Sequence, residues 1–211
     1  MARGPQSARA LSSPRERLSG VLLSPGAGGS ADSPQLIALA DGLAAATGVV
    51  VERMDFPYRL AGRRRPDPPS TLEASVRERA CALARRLGVE TDELVLGGRS
   101  MGGRICSVVV SRGFAAAGLV LISYPLHPAG RREPLRTSHF AHLGVPCIFV
   151  SGTRDAFAAP EELEDATAAI PGPVTHVWLQ GGDHGLRRHG PDVVEAVARW
   201  LVTTFATPAS D

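Results

Sequence analysis

The chain contains no lysine and no asparagine, so all 23 of its basic residues are arginine. Base composition of the coding sequence accounts for such a bias. Against 21 acidic residues the excess is only +2, too small for a phosphate-tracking surface, which argues against a nucleic-acid partner. Cysteine is sparse: Cys81, Cys106 and Cys147 are odd in number, widely spaced and set among apolar residues. That pattern excludes a disulfide framework and fits free thiols in a reducing compartment. None forms a C-x-x-C pair, so no zinc or redox motif is present and no metal is expected. No apolar run approaches the ~20 residues of a membrane helix, and the Arg-rich start lacks a signal-peptide core. A cytoplasmic protein without a membrane partner is the expectation.

What is present is the composition of a globular domain: 44% hydrophobic and 21% charged residues over 211 positions. A chain this long buries roughly 70% of its unfolded surface and needs no staple. Short apolar runs alternate with longer helical patterns. Strands are predicted at 20–24, 49–54, 94–96, 118–122, 145–150 and 174–179. Helices are predicted at 34–47, 71–87, about 101–111, 160–169 and 192–204, and residues 59–69, rich in Arg and Pro, as an irregular loop. Continuous apolar strands alternating with helices mean a mostly parallel sheet covered on both faces. The expectation is one three-layer α/β domain over residues 20–206, without a cap. A loosely attached segment (1–19) precedes it and a short tail (207–211) follows.

The chemistry centres on Gly98-Arg-Ser100-Met-Gly102, a match to G-x-S-x-G. Composition alone gives about 0.2 chance matches in such a chain, so the motif needs its context. It lies directly between a predicted strand and a predicted helix, where a nucleophile elbow belongs. The competing reading is a Gly-rich turn whose serine caps the helix; the placement favours Ser100 as nucleophile. A base must follow. His184 lies in Gly181-Gly-Asp-His-Gly185 after the last strand, flanked by glycines that leave the imidazole free to reach over the sheet edge. Asp155, after the preceding strand, is the acid, giving the chain order Ser, Asp, His. Asp183 is a rival acid expected to brace its own loop. Among the other histidines, His176 is expected to pack in a strand, His189 to lie at the surface, and His139 and His142 lack a third ligand.

The oxyanion hole needs two N–H groups. Met101 supplies one, after the nucleophile. The other is assigned to the loop Gly26-Ala-Gly-Gly29, with Ala27 first and Gly28 second. Pro25, Gly26, Phe56, Tyr58, Tyr124, His127 and Phe157 are the candidate pocket lining, and the loops 59–70 and 127–138 its expected walls. Arg63, Arg64, Arg65, Arg131 and Arg132 fall in those loops and read as solvated, with attraction of an anionic substrate as the alternative. Arg99 and Arg104 flank the elbow and are expected to brace it.

Pro25-Gly-Ala-Gly-Gly29, Asp55-Phe-Pro-Tyr58, Gly97-Gly-Arg-Ser-Met-Gly-Gly-Arg104, Tyr124-Pro-Leu-His-Pro128, Gly152-Thr-Arg-Asp155 and Gly181-Gly-Asp-His184 together resemble the α/β-hydrolase superfamily. Within it they resemble the small group that contains testis-expressed protein 30 and bacterial dienelactone-hydrolase-like proteins. The resemblance runs over about residues 20–206. It implies a hydrolase fold, the same three site residues and no cofactor. The leading expectation is a serine hydrolase acting on an ester, lactone or related acyl bond of a small-molecule substrate. A catalytically silent interaction module, or acyl-transfer or perhydrolase chemistry on the same fold, stays open, as does a homo-oligomer.

Overall fold

The computed structural model describes residues 18–128, 130–131 and 133–205. Most of the expected N-terminal segment, the tail and Arg132 lie outside the described residues.

Six strands form one sheet in the order β2-β1-β3-β4-β5-β6. They are β1 (Gly20–Ser24), β2 (Val50–Arg53), β3 (Leu94–Arg99), β4 (Gly118–Ile122), β5 (Cys147–Gly152) and β6 (Val174–Leu179). Every pairing is parallel, so the expected "mostly parallel" sheet is wholly so. The four inner strands are buried along nearly their whole length, which explains their unbroken apolar sequences.

The helices are α1 (Pro34–Thr47), α2 (Pro57–Leu60), α3 (Pro69–Leu87), α4 (Met101–Ser111), α5 (Pro160–Thr167) and α6 (Gly190–Phe205). Proline pre-sets the backbone in the first turns of α1, α2, α3 and α5. Gly48 and Gly88 close α1 and α3 in the left-handed conformation, at φ 70° and 71°. The short α2 corrects the expectation that the chain becomes irregular at residue 59: the helix reaches Leu60 before the Arg-rich stretch begins.

Side-chain alternation along the strands sorts the core into two halves. Leu22, Leu94, Leu96, Leu119, Leu121 and Phe149 pack on the face that carries α3, α4 and α5. Val21, Leu23, Val95, Val120, Ile122 and Ile148 pack against α1 and α6. The chain reverses direction across the sheet between β1 and β3, because β2 lies on one side of β1 and β3 on the other. In parallel α/β sheets that switch point opens a crevice at the carboxyl ends of the strands. Ser100 and the loop after β1 both fall there.

Candidate active site

Ser100 joins β3 to α4 with φ 48° and ψ −117°, a conformation that side chains rarely adopt. Backbone strain of this kind persists only where the surroundings over-determine it. Here they do. A Cβ on Gly98 would lie 2.0 Å from the Ser24 carbonyl oxygen, and one on Gly102 2.5 Å from the same atom. The elbow therefore packs backbone against backbone on β1, and the two glycines of the motif make that approach feasible. The Ser100 amide donates to Ile122 O at 2.8 Å, tying the turn to β4.

The acid and base arrive on neighbouring loops. A Cβ on Gly152 would lie 2.1 Å from Gly182 O, so the loops after β5 and β6 also meet backbone to backbone. Arg154 N donates to Gly182 O at 2.9 Å across the same junction. The result brings together the three residues expected from the sequence. His184 Nε2 stands 2.9 Å from Ser100 Oγ, and His184 Nδ1 stands 3.0 and 2.9 Å from Asp155 Oδ1 and Oδ2. An ionised carboxylate only accepts, so Nδ1 carries the proton and the Nε2 lone pair faces the serine hydroxyl. The Asp155 side chain is fully buried, whereas that of His184 is 26% exposed, open to an incoming substrate. Asp155 Oδ1 also accepts from Phe157 N at 2.8 Å. Asp183 turns away and braces its loop, its Oδ1 accepting from Leu186 N at 3.0 Å.

The loop after β1 closes the site from the other side. Its Gly26 comes within van der Waals reach of Ser100, since a Cβ there would be 3.6 Å from Ser100 Cβ. Among the described residues, neither the Ala27 nor the Met101 N–H has a protein acceptor, which leaves both for a ligand. Met101 is the first residue of α4, where the free N–H groups and the helix dipole favour negative charge.

The cleft over Ser100 holds about 460 Å³ and is lined by Pro25, Gly26, Ala27 and Gly28 with Ser33, Gln35, Arg99, His184 and Arg187. Its walls are thus the β1 loop, the start of α1 and the His184 loop. Among the described residues, none from the loops 59–70 and 127–138 lines this cleft. Phe56, Tyr58 and Tyr124, expected as pocket lining, are at most 1% exposed and belong to the core. Apolar area drives them inward, and their polar tips find partners there. The Tyr58 hydroxyl donates to Ala27 O at 2.7 Å and that of Tyr124 to Arg136 O at 2.6 Å. Burial raises the Tyr58 phenol above its ordinary value, Arg59 partly offsetting this, so it stays a protonated donor. His127 is likewise buried, its Nδ1 3.0 Å from Pro128 O. Phe157 is half-buried and packs on the His184 ring at 4.2 Å between centroids.

Three of the remaining histidines have structural partners. His176 lies between Phe149 and Trp178 and meets Thr167 Oγ1 at 2.9 Å. His139 Nε2 meets Ser107 Oγ at 2.8 Å, and His189 Nδ1 meets Asp192 Oδ2 at 3.0 Å. Among the described residues no three His, Cys, Asp or Glu side chains could hold a metal ion together. No helix among them is long and apolar enough to cross a membrane. Two contacts had no local signal in the sequence: Arg99 and Gln35 both reach the carbonyl of Gly185, at 2.6 and 3.2 Å.

A family model described as the alpha/beta hydrolase domain matches residues 18–199, and the chain belongs to that family. Solved structures agree on the fold. A serine hydrolase homologue from Coxiella burnetii matches with a TM-score of 0.73 and 20% identity, covering 88% of this chain and 86% of its own. Est1E from Butyrivibrio proteoclasticus, solved with ferulic acid bound, matches with a TM-score of 0.75 and 14% identity over 91% of each chain. A monoacylglycerol lipase from Paleococcus ferrophilus matches with a TM-score of 0.70 and 16% identity, covering 90% of this chain and 96% of its own. At these identities the likeness is one of architecture.

Proposed function

We propose that the protein is a serine hydrolase that cleaves an ester, lactone or related acyl bond of a small substrate. The observation that carries this reading is the continuous chain of contacts from Asp155 through His184 to Ser100, each within hydrogen-bond distance. Ser100 Oγ attacks the carbonyl carbon while His184 Nε2 takes its proton. Asp155 holds the imidazole in the required tautomer and stabilises the imidazolium that forms. The Met101 and Ala27 amides receive the oxyanion. His184 then returns the proton to the leaving alcohol, and water, activated by the same imidazole, releases the acyl group from Ser100.

The esterase and lipase names among proteins of like fold point the same way. The cleft, over which no cap lies among the described residues, suits a small molecule, in keeping with the resemblance to dienelactone-hydrolase-like proteins. A cytoplasmic location belongs to the same proposal.

The test is hydrolysis of p-nitrophenyl esters and lactones of graded size. Wild type is expected to turn over at least one short ester. Ser100→Ala should lower kcat by about 10⁴-fold or more, and Asp155→Asn by about 10³–10⁴-fold. Failure of wild type across the panel, or retention of activity in Ser100→Ala, would overturn the reading.

A further inference from the structure

The general base of the proposed mechanism sits on a loop bounded by glycines, and something must hold it against Ser100. Arg99 is the residue immediately before the nucleophile and the last of β3. Strand alternation places it on the same face as Val95, the face covered by α1 and α6. The His184 loop runs over that face on its way into α6. From there the guanidinium crosses to the loop: Nη2 donates to His184 O at 3.3 Å and to Gly185 O at 2.6 Å. Among the described residues no carboxylate forms an ion pair with it, although Asp155 and Asp183 are near enough to act on its charge. Gln35 Nε2 at the start of α1 donates to the same Gly185 carbonyl at 3.2 Å.

We infer that Arg99 is a positioning residue for the general base, clamping the His184 and Gly185 carbonyls so that the imidazole is held at Ser100 from behind. This inference rests on the hydrolase reading of the same site. Its physical basis is that the strand presenting the nucleophile also carries the group that grips the base loop. Movement of one is therefore transmitted to the other. A guanidinium suits the task because the N–H groups of Nη2, which meets both carbonyls, are held in a fixed plane, whereas the donors of an ammonium rotate freely. The strained Ser100 backbone and the Arg99 clamp then fix both ends of the Ser–His contact.

The test compares wild type, Arg99→Gln and Arg99→Lys on the best ester of the panel. Displacing a reacting group by about 1 Å costs on the order of 100-fold, so Arg99→Gln should lower kcat by about 10–100-fold. KM should change less than kcat, because the guanidinium, although it borders the cleft, is engaged by the His184 and Gly185 carbonyls. Arg99→Lys, which keeps the charge but offers a shorter side chain with freely rotating donors, should fall between the two. A second readout is the proton nuclear magnetic resonance signal of the His184 Nδ1 proton shared with Asp155. It should be sharp and far downfield in wild type and broadened in Arg99→Gln, which a generally structural role would not produce in a protein of unchanged melting temperature.

If wild type itself shows no turnover, the hydrolase reading fails. If wild type is active and Arg99→Gln or Arg99→Lys matches it in kcat and in that signal, the positioning role is overturned. If both variants lose their fold, Arg99 is a stability residue and the inference is equally overturned.

Discussion

The Tyr58 hydroxyl donates to the carbonyl of Ala27 at 2.7 Å, joining a fully buried aromatic to the loop that faces Ser100. The bond fixes the peptide between Ala27 and Gly28, and with it the direction of the Gly28 N–H, the second candidate donor of that loop. A neutral hydrogen bond contributes about 1 kcal/mol, equivalent to about fivefold in rate if it is expressed in the transition state. Tyr58→Phe, which keeps the ring in the core, is expected to lower kcat/KM for a short ester by about that factor. Ester kinetics check it, and an unchanged kcat/KM would separate Tyr58 from the oxyanion loop.

Gly102 makes a second prediction. A Cβ there would lie 2.5 Å from Ser24 O and 2.6 Å from Pro25 O, both backbone atoms that cannot swing aside. Overpacking of this kind costs about 1–3 kcal/mol, and each kcal/mol lowers Tm by about 2–4 °C in a domain of this size. Gly102→Ala should therefore melt several degrees early. Gly144→Ala, where a Cβ meets nothing within 4 Å, should not. Calorimetry of the two variants decides it; equal melting temperatures would mean that the elbow is not tightly packed.

Acid stability should depend on His139. Burial, reinforced by Arg104, Arg112 and His142, lowers its pKa from 6.5 to about 4. Between those values the unfolded chain binds the proton and the folded chain does not, so the stability this residue confers is complete above pH 6.5 and lost as pH falls toward 4. His139→Gln should show a flatter decline than wild type across that window. Denaturant melts at intervals of pH supply the comparison, and parallel profiles would refute the assignment.

The thiols should divide by burial. Cys106 and Cys147 are buried, which pushes both up to about 12, whereas Cys81 is only half-buried. Reaction requires the thiolate, so a thiol-specific disulfide reagent should modify Cys81 first in the native protein and all three after denaturation. Rapid native modification of all three would contradict the placement of the other two.

Much of this architecture is legible from the amino acids because a doubly covered parallel strand must be apolar throughout. Residues 20–24, 118–122 and 174–179 are the strands expected, residue for residue. The Ser–Asp–His order followed from which loops succeed which strands, and the structure places the three side chains in contact. Side-chain direction was not legible. Phe56 and Tyr58 follow a strand end, as pocket residues do, yet apolar area carries both into the core. Arg99 shows the other gap. Its partners stand 85 and 86 positions away, and only the strand order brings them to one sheet face. The four-residue α2 is a single turn, which leaves no hydrophobic period in the sequence.

The central claim is that Ser100 is a nucleophile activated by His184. Incubation with a fluorophosphonate followed by intact-mass and peptide analysis tests it without knowledge of the substrate. One phosphonyl group per chain is expected, on the peptide containing Ser100, and absent from Ser100→Ala and strongly slowed in His184→Ala. A folded wild-type protein that takes up no label at Ser100, or labels equally well without His184, would contradict the account.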